Sequence, residues 1–137
     1  MDKKQKENGF HDMIGSLFVV LFVFMMLFVY IGVSKSVSKK LACDNIAKTY
    51  LYRMEANGYL TTGTGSDYEE MRERFEEIGV SITDIGTTKV QVPYGKVVTL
   101  NILAEFPNPL TETVNLDLLG IKETIKYEIK LEATAKW

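Results

Sequence analysis

The side chains that could carry out chemistry are few and widely spaced. The chain has one imidazole, His11, and one thiol, Cys43. A Ser-His-Asp relay needs its base within hydrogen-bond reach of the nucleophile. His11 stands at the edge of a long apolar stretch, away from the rest of the polar sequence, and is badly placed for that role. A zinc site takes three or four nitrogen, sulfur or carboxylate ligands around one point. One His and one Cys supply half of such a set at most. The densest acid cluster is Glu69, Glu70, Glu73, Glu76 and Glu77, interleaved with Arg72 and Arg74. Acids and arginines three or four positions apart pair along a helix, as Glu70 and Arg74 would, and this pattern describes a solvated helix face. The glycine-rich run Thr61-Thr62-Gly63-Thr64-Gly65 lacks the closing Gly-Lys-Ser/Thr of a phosphate loop and reads as a flexible connection. No nucleophile–base pair, metal cluster or nucleotide loop is left, so the expectation is a non-enzymatic chain without a cofactor.

Charge narrows the classes further. Sixteen Lys and Arg against eighteen Asp and Glu give a formal net charge of -2 over 137 residues. No basic stripe is available to neutralise phosphates, so nucleic acid is not an expected partner. A lone cysteine cannot form an internal disulfide, and the fold must rest on its apolar core.

The strongest signal is the stretch 13–34, which contains no charge. Its centre, 14–33, reads IGSLFVVLFVFMMLFVYIGV. Twenty helical residues rise about 30 Å, the thickness of a bilayer's hydrocarbon core. The run is apolar on every face, unlike a helix lying in the interface. Ser34-Lys35-Ser36 is a small-x-small triplet that could pass for a signal cleavage site, but the apolar run exceeds the usual signal length. One transmembrane helix over 13–34 is expected, with Tyr30 at the bilayer surface. Lys3, Lys4 and Lys6 before it balance Lys35, Lys39 and Lys40 after it, so charge alone does not orient it.

The helix can continue through 35–58. Val37, Leu41, Ala47, Tyr50, Leu51 and Met54 recur at roughly helical spacing, and Gly58 is placed as the stop. Cys43 is expected as a small helix residue, with an intermolecular disulfide as its alternative. Ser66-Asp67-Tyr68-Glu69 is a capping box that opens a second helix. Tyr68, Met71, Phe75 and Ile78 line its inner face, and Gly79 ends it. Strands are expected over 80–85 and 89–92, with Pro93-Tyr94-Gly95 as a turn. Another covers 96–106, with Val98, Leu100, Ile102, Ala104 and Phe106 on one face, and Pro107-Asn108-Pro109 stops it. Residues 110–119 read as a strand or strand pair with Gly120 as a turn. Residues 124–137 alternate most regularly: Ile125, Tyr127, Ile129, Leu131, Ala133, Ala135 and Trp137 share one face.

One-sided alternation is the habit of antiparallel sheets with one wet face. The expected fold class is α+β. A leader (1–12) and a transmembrane helix (13–34) lead into an extramembrane continuation (35–58). A domain over 59–137 then packs a short helix on an antiparallel sheet of about four strands.

In plan this resembles the type IV pilin-like proteins, most of all the TadE-like minor pseudopilins and a small Gram-positive family of the same layout. The residues carrying the resemblance are Gly9-Phe10-His11-Asp12 before the apolar run, Ala56-Asn57-Gly58-Tyr59 at the end of the long helix, and the alternating terminal strand closing with Ala135-Lys136-Trp137. The resemblance implies prepilin peptidase cleavage between Gly9 and Phe10; an intact N-terminus is the alternative. The family's glutamate at the fifth mature position is missing, and Ile14 stands there. The nearest acid, Asp12, is the candidate partner for a neighbouring N-terminus when protomers pack, since a charge in lipid needs a partner. It is equally read as the polar edge of the anchor.

The leading expectation is a minor pilin-like subunit of a surface pilus, secretion or conjugation apparatus. Its partners would be lipid and other pilin-like subunits or machinery, with homo-oligomers among the forms, and its C-terminal domain would lie outside the cytoplasm. The alternative is a membrane-anchored accessory or binding protein that does not polymerise.

Overall fold

The computed structural model describes residues 3–111, 120 and 123–137, with side chains from residue 9 onward. Helix α1 (Lys3–Asn57) runs 55 residues without interruption, a rod of about 80 Å at 1.5 Å per residue. No proline interrupts it. It crosses the expected boundaries at residues 12 and 34 unbroken. Gly58, at φ 80°, ends it, and its amide donates to the Met54 carbonyl at 2.7 Å.

Helix α2 (Asp67–Glu77) is capped by Ser66, whose Oγ accepts the Glu69 amide. The return half of the expected capping box is displaced by one residue: Glu69 Oε2 accepts from the Gly65 amide at 2.6 Å. The Ser66 amide is already engaged with the Gly63 carbonyl. Met71 and Phe75 are fully buried, and Tyr68 and Ile78 pack against the same core.

Three strands follow: β1 (Ser81–Asp84), β2 (Val97–Pro107) and β3 (Thr124–Thr134). They form one antiparallel sheet in that order, with Leu100 opposite Leu131 and Ile102 opposite both Ile129 and Asp84. The apolar face of β2 is as expected, with Val98, Leu100, Ile102, Ala104 and Phe106 all buried. The chain is α+β, with α1 and α2 laid on one face of the sheet.

The described sheet has three strands rather than about four. Residues 89–92 are not a strand. Backbone groups in 85–92 bond in different directions: the Thr88 amide reaches the Thr99 carbonyl, the Thr88 carbonyl takes the Leu60 amide, and the Val92 amide reaches Gly58. The segment laces the end of α1 to β2 and pairs continuously with neither. Of the strand expected within 110–119, Leu110 and Thr111 form a turn, and residues 112–119 lie outside the described residues.

The helix face on the sheet also departs from expectation. Cys43, Ala47, Tyr50, Leu51 and Met54 are buried, whereas Val37 and Leu41 are 50% and 59% exposed. The inward face begins at Gly32, 11 residues (about three turns) before Cys43. A Cβ on Gly32 would run into Leu110 Cδ2 and lie 2.7 Å from Leu110 Cγ. The loop after β2 therefore rests directly on the last turn of the apolar segment.

The C-terminus locks the other end of the domain. The Lys136 amide donates to the Glu55 carbonyl at 2.7 Å, and Trp137 Nε1 donates to the Val92 carbonyl at 2.8 Å. Trp137 is therefore turned off the sheet face that its spacing assigns to it, and it is 53% exposed.

Candidate functional site

The N-terminal half of α1 carries most of the exposed large apolar side chains among the described residues. Phe10, Met13 and every large apolar side chain from Leu17 to Leu27 are exposed. The helix is long and apolar enough to cross a membrane, and none of its most apolar stretch is buried within the chain. Transferring such side chains from water to hydrocarbon is favourable by about 25 cal/mol per Å². An exposed apolar surface of this extent marks a membrane or protein interface. Because it is bare, it is not a core helix of this chain.

The residues picked out for processing and packing lie at the start of this rod. Gly9, Phe10 and Asp12 are all helical and exposed. An alanine Cβ at Gly9 would meet nothing within 4 Å, so the fold makes no demand for glycine there. Gly9 and Phe10 are open to an enzyme, and Asp12 is open to a neighbouring chain.

At the other end of the apolar segment, α1 enters the domain through a collar of lysines. Lys39 Nζ stands 5.5 Å from the Phe106 ring centroid and Lys40 Nζ 5.3 Å from that of Tyr127, within the range of cation–π attraction. The Tyr127 hydroxyl donates to Asp44 at 2.9 Å. Burial first, and then the Asp44 carboxylate, raise the Tyr127 pKa above the usual phenol value. These contacts, with the Gly32–Leu110 approach, fix the lower edge of the sheet close to where the apolar segment ends. A hollow of about 520 Å³ opens there between α1 and Pro109, lined by Tyr30, Ile31, Ser34, Lys35, Ser38 and Lys39.

One acid of the α2 cluster, Glu70, joins Asp67 in a clamp on α1. Arg53 from α1 donates to Asp67 Oδ1 at 2.8 Å and to Glu70 Oε2 at 2.7 Å. Arg74 donates to Glu70 Oε1 at 3.1 Å, the expected i,i+4 pair. Arg53 is the largest influence holding the Glu70 pKa below the usual carboxylate range. The Tyr50 ring lies between the guanidinium groups of Arg53 and Arg74, at 5.0 and 5.8 Å. Its buried hydroxyl sits beside Glu70 without closing a hydrogen bond. Burial first, then Glu70, push its pKa up to about 12. Every charge in this group is matched, and what it does is hold α2 on α1.

Cys43 is fully buried under the sheet. Burial, then the Asp44 carboxylate, push its thiol up to about 11. A thiol in that state is a poor nucleophile, and a bridge to a second chain would require α1 to leave the sheet. No three His, Cys, Asp or Glu residues gather in a metal-binding cluster among the described residues.

Sequence reading located the apolar rod but missed the hollow beneath Pro109. Its lining comes from the helix and from a loop about 70 positions away, and local spacing cannot reveal that meeting. The available signal was Gly32, a glycine in phase with Cys43 and Met54, whose missing side chain admits Leu110.

Comparison with protein-family models, with curated proteins and with solved structures finds no match for this chain.

Proposed function

We propose that this chain is a non-enzymatic single-pass membrane protein, built on the pilin-like plan, that presents its α+β domain against the bilayer surface and packs through α1 with neighbouring subunits. The observation that carries the reading is the continuity of α1. The same unbroken helix is bare and apolar over its first half and forms the core of the domain over its second. A helix of that kind transmits any packing in the membrane to the domain, with no linker in between. The reading places the domain outside the cytoplasm and the chain among the minor subunits of a pilus, secretion or conjugation apparatus.

The extramembrane part of α1 supports subunit packing. Val37, Leu41 and Tyr52 stand four and then eleven residues apart, on one side of the helix, and all are exposed. They form a second apolar stripe, distinct from the face that packs on the chain's own sheet. Ile14 in place of the family acid favours a second reading, an anchored accessory protein that does not polymerise.

Cross-linking in the native membrane separates the two. In a Cys43→Ser background, Val37→Cys and Leu41→Cys should give disulfide-linked oligomers on mild oxidation, and Lys96→Cys should not. Monomers at all three positions would refute the subunit reading and favour the accessory one. The mass of the N-terminal fragment tests processing in the same sample: cleavage at the Gly9–Phe10 bond predicts a chain beginning at Phe10.

A further inference from the structure

We infer that the hollow beneath Pro109 is a binding site for the headgroup of an anionic phospholipid, an inference that rests on the membrane-spanning reading of α1. The site lies where the 20-residue apolar run ends. Tyr30 and Ile31 belong to the last turn of that run, and Ser34, Lys35, Ser38 and Lys39 form the next turns on the same side of the helix. The lining therefore changes along the helix axis from apolar to polar, with serines and lysines alternating beyond Ile31. A lipid bound there would meet the same change, from acyl chain to headgroup.

Pro109 supplies the opposite wall. Its position is fixed, because Leu110 seats on Gly32 and Asn108 ties the turn by accepting the Leu110 amide on its side chain at 3.1 Å. The Lys39 ammonium is also held, over the Phe106 ring at the end of β2. One cation of the site is thus pre-positioned, and Lys35 is free to close over a phosphate. The volume, about 520 Å³, falls in the range of small-ligand sites. Lysines beside a membrane-spanning helix attract anionic lipid. A free anion would use the two lysines but not the Tyr30 and Ile31 end, and so a lipid is the occupant the lining fits.

Native mass spectrometry of the full chain in detergent, titrated with phosphatidylglycerol or with phosphatidylcholine of the same acyl chains, tests this. The chain should retain phosphatidylglycerol with a preference on the order of tenfold. Lys35→Gln with Lys39→Gln should bring the preference close to one, Lys35→Arg with Lys39→Arg should preserve it, and Lys48→Gln should leave it unchanged. Equal retention of both lipids, or a preference unaffected by the double Gln variant, would overturn the proposal. So would competition by millimolar inorganic phosphate as effective as that by added lipid, which would mark a free-anion site. Failure here with the chain still resisting carbonate extraction sinks the lipid site alone. Release of the chain by carbonate would sink the membrane reading with it.

Discussion

Two residues show how far local electrostatics shapes this domain. Asp84 ends β1, and its side chain is only 12% exposed. Burial alone would raise its pKa. The Lys89 ammonium and the amides of Thr87 and Gly86 outweigh burial and hold the carboxyl near about 2. A carboxyl whose folded pKa is depressed stabilises the fold above its unfolded pKa, here 3.8, and that contribution is lost as pH falls through the folded value. Asp84→Asn keeps an oxygen for the two amides and removes the charge. It should cost on the order of 2 kcal/mol at neutral pH. The gap from the parent chain should close between about pH 4 and about pH 2, as followed by Trp137 fluorescence during denaturant unfolding in detergent. A gap that stays constant through that window would contradict the assignment. Tyr50 makes the opposite point. Its hydroxyl is buried beside the Glu70 carboxylate, outside good hydrogen-bond geometry but close enough to feel its charge, so Tyr50→Phe removes a poorly satisfied group and keeps the ring near its two arginines. The expected change in unfolding free energy is within about 1 kcal/mol of zero or stabilising. A loss of 2 kcal/mol or more would mean that the hydroxyl has a partner.

Among the elements, α2, β2 and most of β3 were legible from spacing because each has one buried face and one wet one. The inward face of α1 was not. Beyond the bilayer segment the helix is apolar on two sides, one marked by Val37 and Leu41 and the other by Cys43, Ala47 and Tyr50. Periodicity placed Ala47, Tyr50, Leu51 and Met54 correctly but extended the stripe through Val37 and Leu41, the larger side chains, where the inward face runs through Cys43 and Gly32. Residues 89–92 were misread for a related reason: a four-residue apolar alternation cannot tell a ladder from a lacing whose bonds go to several partners. The Gly32–Leu110 approach gives this scale its prediction. Gly32→Val should weaken the seat of the loop after β2 and lower the melting temperature of the full chain in detergent. Leu110→Ala combined with it should recover part of the loss, because the clash is with a side chain. Equal or greater loss in the double variant would show that the close approach is not what makes glycine necessary there. Phe75→Ala, deep between α2 and the sheet, should cost about 3–5 kcal/mol and serves as the reference for a core deletion.

At the scale of the whole molecule, the chain divides by solvent rather than by fold. One rod is bare where lipid would cover it and buried where its own sheet covers it, and the lysine collar with the Pro109 hollow marks the transition. The candidate processing and packing residues, Gly9, Phe10 and Asp12, depend only on their place before the apolar run and stay a proposal that N-terminal mass tests. The hollow was not legible in the sequence, because it needs the loop after β2 to fold back on α1. Carbonate extraction of the full-length chain from the membranes that make it bears most directly on this account. The chain should remain in the pellet at alkaline pH and move to the supernatant only with detergent, with Trp137 and the apolar run in the same polypeptide. Recovery of the intact chain in the carbonate supernatant, or of a soluble product lacking residues 14–33, would contradict it.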